Sequence, residues 1–444
     1  MRTFRISNVC GATKCLDLRR PFQFGKVIAN RAHYTETSVV ASYLGRHVAG
    51  RGGGLHMDPW SLRGRFEPQC YTMMPQLIML CEYTANRALQ NDHTPRTPVD
   101  YWKWLSKLCY DAAKVRWGED FPKLAVSVAF SPYEFAIWDA YGKAHDLPWA
   151  KCLGQEFLGQ DCDLSSAVAK QPAKEVEVLH TVGGKDAIFE LEEWGYESLK
   201  DGIPETVYGE ALAGKPKWLK PKVTGDFDKD VARVKLIDEM LAKLQQKQYI
   251  GKVGYFFDAN GACPDVQWLR RFLNTIEKPE HGAEREITNF EQPFATDKTF
   301  AQGYEVHSLS NLCDFSIDES LVGPSDVERA KEMGYNRLGL KVCKSVTSTL
   351  EVVVEAAKHG LNCDMQDLTQ VGRGLLVSVS MAAWCFPTLR IESNGYKNVV
   401  GAYSLFQGKK TGSPDTEQIK HFDIHVMSDG CVKTANLTGS GFSL

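Results

Sequence analysis

Hydrophobic and polar positions along the chain fall into distinct regimes. Over the first 60 residues Phe4 and Ile6 alternate with polar neighbours, which predicts β structure. Gly50-Arg51-Gly52-Gly53-Gly54 interrupts that stretch and predicts a tight turn near a hairpin. A phosphate-binding loop would need a following Lys-Ser/Thr and a helix, and neither is present. Residues 73–147 read as helical. Ser131-Pro132-Tyr133-Glu134 predicts a helix start, with Ser at the N-cap, Pro at the first position and Glu at the third. Phe135, Trp138 and Tyr141 then recur at helical spacing, the helix ends near Leu147-Pro148, and Gly154 closes the segment.

From about residue 217 to 393 the pattern changes to short apolar runs alternating with amphipathic helices. Strands are predicted at Trp218–Val223, Tyr255–Asp258, Ile287–Glu291, Phe315–Asp318, Arg337–Cys343, Leu361–Met365 and Leu389–Glu392. Between them, Phe227, Val231, Val234, Leu241 and Leu244 share one helix face, and further helices run from about Asp265 to Ile276 and from Ser325. The last of these carries a capping-box pattern in Ser325-Asp326-Val327-Glu328. Ser348–Lys358 is another, with Glu351 at the third position and Gly360 past its end. So many βα units in series favour a parallel barrel over an open sheet. Residues 170–216 show no clean period and read as an insertion between two barrel strands.

Composition narrows the class. At 444 residues the chain has room for two or three domains, and 43% hydrophobic with 24% charged residues excludes a disordered or collagen-like protein. A net charge of −3 offers no basic field for nucleic acid. No run of 18 apolar residues predicts a membrane span, and the opening residues lack the apolar core of a signal peptide. Thirteen cysteines, an odd and scattered set that includes Cys81, Cys313, Cys343 and Cys385 in apolar runs, read as buried free thiols of a reducing, cytoplasmic compartment. Cys10 and Cys15 have no second pair at zinc spacing.

Charged residues sit at nearly every predicted strand end, the face where parallel barrels do chemistry. Asp258, Glu291 and Asp318 lie on three successive strands, with gaps of 291 − 258 = 33 and 318 − 291 = 27 residues. Three converging carboxylates would repel one another, and a hard dication resolves this: carboxylate, water and substrate oxygens suit octahedral Mg²⁺. Rim salt bridges would account for any one acid alone. Lys222 precedes the acids and Lys341 follows them, on strands that face each other across a closed barrel. Burial, the neighbouring Lys220 and a metal would lower an amine pKa and make a general base. Lysines snorkelling to solvent are the alternative.

These residues together resemble the enolase superfamily, in its muconate lactonizing enzyme and mandelate racemase branch. The resemblance covers most of the chain. Val126-Ala129-Phe130-Ser131, Ala136-Ile137-Trp138-Asp139, Gly142-Lys143-Ala144, Leu147-Pro148 and Leu153-Gly154 resemble the family's junction between cap and barrel. Lys220-Pro221-Lys222 is similar to its K-x-K motif. Asp258-Ala259-Asn260-Gly261, Glu291-Gln292-Pro293 and Asp318-Glu319-Ser320 are similar to its metal-ligand motifs, and Leu340-Lys341 to its strand-six lysine. The resemblance implies an α/β (β/α)7β TIM-like barrel under an α+β capping domain: cap 1–155, barrel 156–395, and a C-terminal segment 396–444 returning to the cap. It implies Mg²⁺ on Asp258, Glu291 and Asp318, with Glu319 as an alternative third ligand. It makes Lys222 and Lys341 an acid/base pair of the lysine–lysine type, supported by Lys220, with Glu392 hydrogen-bonding the substrate carboxylate. A base removes the α-proton of a carboxylate substrate and an enediolate forms, chemistry for which this superfamily is a standard example.

Two lysines on opposite faces suit a racemase, epimerase or cycloisomerase, and also permit a β-elimination lyase such as a dehydratase or an o-succinylbenzoate synthase-like enzyme. A non-catalytic carboxylate-binding member would lack a ligand or a lysine, and none is missing. A metal hydrolase would need histidine ligands at strand ends, and no histidine sits at an identified one. The partner is a small carboxylate, not nucleic acid or membrane, and barrels of this type often form homo-oligomers. The strand-seven stretch Asp364–Thr369 matches no substrate signature; Asp364 and Asp367 there could bind an ammonium group or cap the next helix. Pro21-Phe22-Gln23-Phe24-Gly25 resembles the start of the family's mobile specificity loop and equally fits a strand-to-loop passage.

Overall fold

The structure, a computed structural model, describes residues 1–62, 67–366, 369–385, 390–400, 402, 427–434 and 437–442. Asp367, Leu368, Leu389 and most of 396–444, which carry some of the expectations above, lie outside them.

Three long strands, β1 (Arg5–Phe24), β2 (Val27–Tyr43) and β3 (Arg46–His56), form an antiparallel sheet in the order β1-β2-β3. A one-turn helix, α1 (Asp58–Ser61), follows, then α2 (Glu67–Asn91), α3 (Pro98–Trp117) and α4 (Lys123–Ala144). The glycine run is not a turn. It lies inside β3, where α4 presses so close that a Cβ on Gly50 would stand 1.9 Å from the Ala136 carbonyl oxygen, and one on Gly52 2.2 Å from that of Pro132. The β2–β3 turn falls instead at Leu44-Gly45, both at positive φ. Ser131-Pro132 does not start a helix either, since α4 already runs from Lys123. Pro132 supplies no N–H to the Val128 carbonyl four residues back, and the Ser131 hydroxyl donates to that oxygen instead, at 3.1 Å. With an apolar run on both sides of the proline, burial outweighs the local start signal.

A short helix, α5 (Gln155–Leu158), leads into the barrel. Its strands are β4 (Glu175–Val182), β5 (Trp218–Pro221), β6 (Val253–Asp258), β7 (Arg285–Glu291), β8 (Asp314–Ile317), β9 (Arg337–Leu340), β10 (Asn362–Met365) and β11 (Arg390–Glu392). They pair in sequence order, all parallel, and β11 pairs with β4 to close the ring. The connecting helices are α6 (Val207–Gly214), α7 (Phe227–Gln246), α8 (Val266–Thr275), α9 (Ser325–Glu332), α10 (Val346–His359) and α11 (Gly372–Trp384); β7 and β8 are joined by turns and a three-residue 3₁₀ turn, His307–Leu309. After β11 come α12 (Gly395–Asn398) and β12 (Cys431–Lys433), the latter antiparallel on β4.

The 170–216 segment is thus not an insertion but the first βα unit. Its strand alternates as Glu175-Val176-Glu177-Val178, and a loop over 183–206 leads to α6. Start signals elsewhere match the expected elements with shifted caps. Asp226 caps α7 and Asp265 caps α8. Ser345, not Ser348, caps α10, and Gly360 ends it in the left-handed conformation. No side chain caps α9; Asp326 instead accepts the Val322 and Gly323 N–H groups.

One apolar core runs through cap and barrel. A second, containing Phe22, Phe24, Met57 and Trp60 of the cap with Cys343 and Val371 of the barrel, seats the cap on the barrel mouth. Glu134 of α4 reaches across the junction and accepts hydrogen bonds from Ser345 Oγ, Val346 N–H and Thr347 N–H at 2.8–3.0 Å, at the start of α10. The described parts of the C-terminal segment touch cap and barrel alike: Val399 bridges Leu18, Phe442 N–H donates to Asp139, and β12 edges β4.

Candidate active site

Lys220 and Lys222 alternate with Pro221, so both side chains point into the barrel, one above the other. Asp258 ends β6, Glu291 ends β7, Asp318 follows β8, Lys341 follows β9 and Glu392 ends β11. All seven are buried. Lys220 Nζ sits among Asp258 Oδ2 at 3.1 Å, Glu291 Oε2 at 3.0 Å, Glu392 Oε2 at 3.0 Å and Gln366 Oε1 at 2.9 Å. Lys222 Nζ lies 2.5 Å from Asp258 Oδ2. Across the barrel, Lys341 Nζ donates to Asp318 Oδ2 at 2.6 Å, and Lys344 Nζ stands 3.1 Å from Asp318 Oδ1. Glu392 also accepts from Thr181 Oγ1 and Asn394 Nδ2.

Glu319 faces elsewhere. Its Oε1 accepts from Trp60 Nε1 at 2.9 Å and from Asn260 Nδ2 at 3.0 Å, so Asp318, not Glu319, carries the ion pairs of this cluster. Trp60 comes from the cap, in α1, and its ring lies 4.6 Å from Lys341 Nζ and 5.9 Å from Lys344 Nζ. The His33 ring, 2.6 Å from Asp58, holds α1 to β2. At the end of β1 the Pro21–Gly25 stretch continues as strand to the turn at Gly25, where a Cβ would stand 3.2 Å from the Ala259 carbonyl.

Sequence reading did not single out Lys344, Gln366 or Trp60. Gln366 follows β10 and donates to Glu291 while accepting from Lys220. Asp364, two residues earlier, points into the same barrel interior but is held by Arg337 and Arg390, each at 2.8 Å, so no ammonium site forms on it.

Burial opposes charge on Lys220, but Glu291, Glu392 and Asp258 outweigh it and hold the amine well above the ordinary lysine range. Burial likewise opposes charge on Lys341, and Asp318 and Glu392 raise its pKa regardless. Burial, Lys220 and a metal predict a lowered amine at Lys341; the carboxylates that face it reverse this. Burial also opposes ionisation of Asp318, yet Lys341 and Lys344 bring its pKa to about 2. Glu291 goes the other way: burial, Asp258 and Asp318 push it well above the carboxylate range.

The donor chemistry fits a hard dication. Three carboxyl groups stand at adjacent strand ends, burial together with Asp258 and Asp318 pushes Glu291 well above the carboxylate range, and the buried Asp318 Oδ1 accepts no hydrogen bond, with the Lys344 amine 3.1 Å away as its ion-pair partner. Their present rotamers face the lysines, and among the described residues no three acid, histidine or thiol groups converge on one point.

No protein-family model and no curated protein sequence matches the chain. Solved structures do. A dipeptide epimerase from Enterococcus faecalis, complexed with Mg and the dipeptide L-Leu-L-Tyr, is 15% identical, with a TM-score of 0.63 and 99% of each chain covered. A muconate lactonizing enzyme from Pseudomonas fluorescens, complexed with muconolactone, is 15% identical, with a TM-score of 0.62 over 100% of this chain and 96% of that one. An N-succinyl Arg/Lys racemase from Bacillus cereus is 15% identical, with a TM-score of 0.59 over 88% and 87%. The chain therefore shares its fold, a closed TIM-like barrel with an N-terminal sheet domain, with these structural neighbours.

Proposed function

We propose that the chain is a Mg²⁺-dependent isomerase, a racemase, epimerase or cycloisomerase that moves the α-proton of a carboxylate substrate. One observation carries this reading: Lys222 and Lys341 stand on the second and sixth strands of an eight-strand ring, facing each other across three buried carboxyl groups. An α-proton beside a carboxylate is very weakly acidic, so its removal needs fixed positive charge where the anion forms. Asp258, Glu291 and Asp318 would hold Mg²⁺, which when bound supplies that charge. Lys222 takes the proton from one face of the substrate, and Lys341, kept protonated beside Asp318, delivers one to the other. Lys220 holds Glu392 and Glu291 in place, and Glu392 orients the substrate carboxylate. The epimerase, racemase and lactonizing activities of the structural neighbours support this class, and a lyase would use the same residues with one lysine moving the proton.

The test is α-proton exchange followed by NMR in D₂O, with Mg²⁺ and pooled carboxylic acids. Lys222→Ala and Lys341→Ala are each expected to cut exchange by roughly 10²–10⁴-fold, the usual worth of a general acid or base, and EDTA to abolish it. Inverted products identify an isomerase and unsaturated ones a lyase. Exchange undiminished in both variants would refute the assignment.

A further inference from the structure

A cavity of about 870 Å³ opens beside Lys222, between the β1–β2 hairpin tip, the loop after β4 and the start of α7. Besides Lys222, its wall carries the cations Lys26, Lys185, Lys229 and Arg233. Three acids also line it, but their oxygens are already engaged. Glu193 accepts from the backbone N–H groups of Ile188, Phe189 and Glu190. Asp230 accepts from those of Thr224 and Gly225. Asp226 caps α7 and pairs with Lys229 at 2.7 Å.

The cations are less committed. Among the described residues, Lys26, Lys185 and Arg233 have no carboxylate within ion-pair distance, whereas Lys229 has Asp226. Lys185 lies 5.9 Å over the ring of Trp194, which is itself 42% exposed. Arg233 donates through Nη2 to the carbonyls of Gly183 and Asp186, and its buried Nε has no hydrogen-bond partner. Trp194, Ile28 and Leu236 add apolar surface to the same wall. At the neighbouring strand end, Gln366 is neutral and Asp364 is consumed by two arginines. A cationic group entering here meets only engaged carboxylates, while an anionic one meets Lys26 and Lys185, which have no carboxylate within ion-pair distance, and Arg233, whose neighbouring acids Asp186 and Glu193 are held by Lys397 and by backbone N–H groups.

We propose that this cavity receives the far end of the substrate and that this end is anionic, so that the substrate is an acid carrying a second carboxylate beyond an apolar spacer. This rests on the carboxylate reading of the site above. The hairpin tip and the loop after β4 then select the substrate by charge, while the strand ends do the chemistry.

Titration calorimetry of the full chain with Mg²⁺ tests it, using hexanoate, adipate and 6-aminohexanoate. These three share a six-carbon chain and one carboxylate and differ in the charge of the far end. Adipate is expected to bind about tenfold tighter than hexanoate at low salt, as a few partly exposed charge contacts allow. Binding of 6-aminohexanoate is expected to be the weakest, and the adipate advantage to shrink in high salt. The Lys26→Gln, Lys185→Gln double variant should lose at least half of that advantage on a logarithmic scale. Hexanoate bound as tightly as adipate overturns the proposal and leaves the proposed function standing. Tightest binding of 6-aminohexanoate overturns it in favour of a cationic tail. Failure of all three to bind at millimolar concentration overturns both.

Discussion

Glu134 is charged against the preference of its surroundings. Its carboxyl accepts three hydrogen bonds at the start of α10, yet burial pushes its pKa up to about 7 from 4.5. Between those values the folded chain holds this proton more tightly than the unfolded chain does. Its contribution to stability is therefore fully present below pH 4.5 and is lost as pH rises through 7. At ~1.36 kcal/mol per pKa unit the loss is about 3 kcal/mol. Urea midpoints at pH 5 and pH 8 should differ by less in Glu134→Gln than in the parent, whatever the variant's absolute stability; equal differences would refute the argument. The same residue marks the limit of local reading. Ser131-Pro132-Tyr133-Glu134 has the spacing of a helix start, but that spacing says nothing of the apolar turns before it or the second helix Glu134 reaches. The catalytic candidates were legible because a charged side chain at the end of a buried strand costs desolvation energy that folding alone gives no reason to spend. Gln366 was not, because a neutral amide leaves no such mark, and Lys344 lies three residues beyond the strand-end position that drew attention to Lys341.

At the scale of elements, the two-residue and helical periods were enough to find seven of the eight barrel strands, since strands buried on both faces stand out as short apolar runs. The first escaped because β4 alternates with glutamates, Glu175 paired with Lys433 and Glu177 with Lys217, inside a stretch rich in Gly, Pro and Lys. Glycines in β3 misled for the opposite reason: the packing of α4 demands them, and only the tertiary fold reveals that demand. The one-turn helix α1 was unreadable, yet it puts Trp60 against the second catalytic candidate. Its ring faces Lys341 and its N–H holds Glu319, while His33 and Asp58 fix the turn that carries it. A desolvated cation–π contact is worth about 2 kcal/mol, so Trp60→Leu should slow exchange roughly 30-fold. Trp60→Phe keeps a ring over the amine and should fall between the two. Because the effect acts on the position of Lys341, turnover should drop with little change in KM. A change confined to KM would make Trp60 a substrate contact instead.

At the scale of the whole molecule, the barrel closes around a cluster in which lysines and carboxyl groups already contact one another before any ion enters. Lys220, Lys222, Lys341 and Lys344 face Asp258, Asp318 and Glu392, with Glu291, whose proton is held by burial and by Asp258 and Asp318, among them. Breaking such a buried set by removing one partner is costly, but in the intact set each of the four lysines keeps a carboxylate within ion-pair distance. The core around it is continuous from cap to barrel, and the ring is closed by the pairing of β11 with β4. The fold therefore does not depend on the ion in the way a small metal-stapled domain does. EDTA-treated protein is expected to keep its far-ultraviolet circular dichroism and a cooperative thermal transition. Mg²⁺ should then add stability only by mass action, about 2.7 kcal/mol at a hundredfold excess over Kd, which moves Tm by a few degrees in a chain of this size. The increment should vanish in Asp258→Asn and persist in Trp60→Phe, since only the first alters a group expected to hold the ion. Loss of the thermal transition on chelation would mean that the lysine pairs do not neutralise the acids, and that the ion is part of the fold rather than an addition to it.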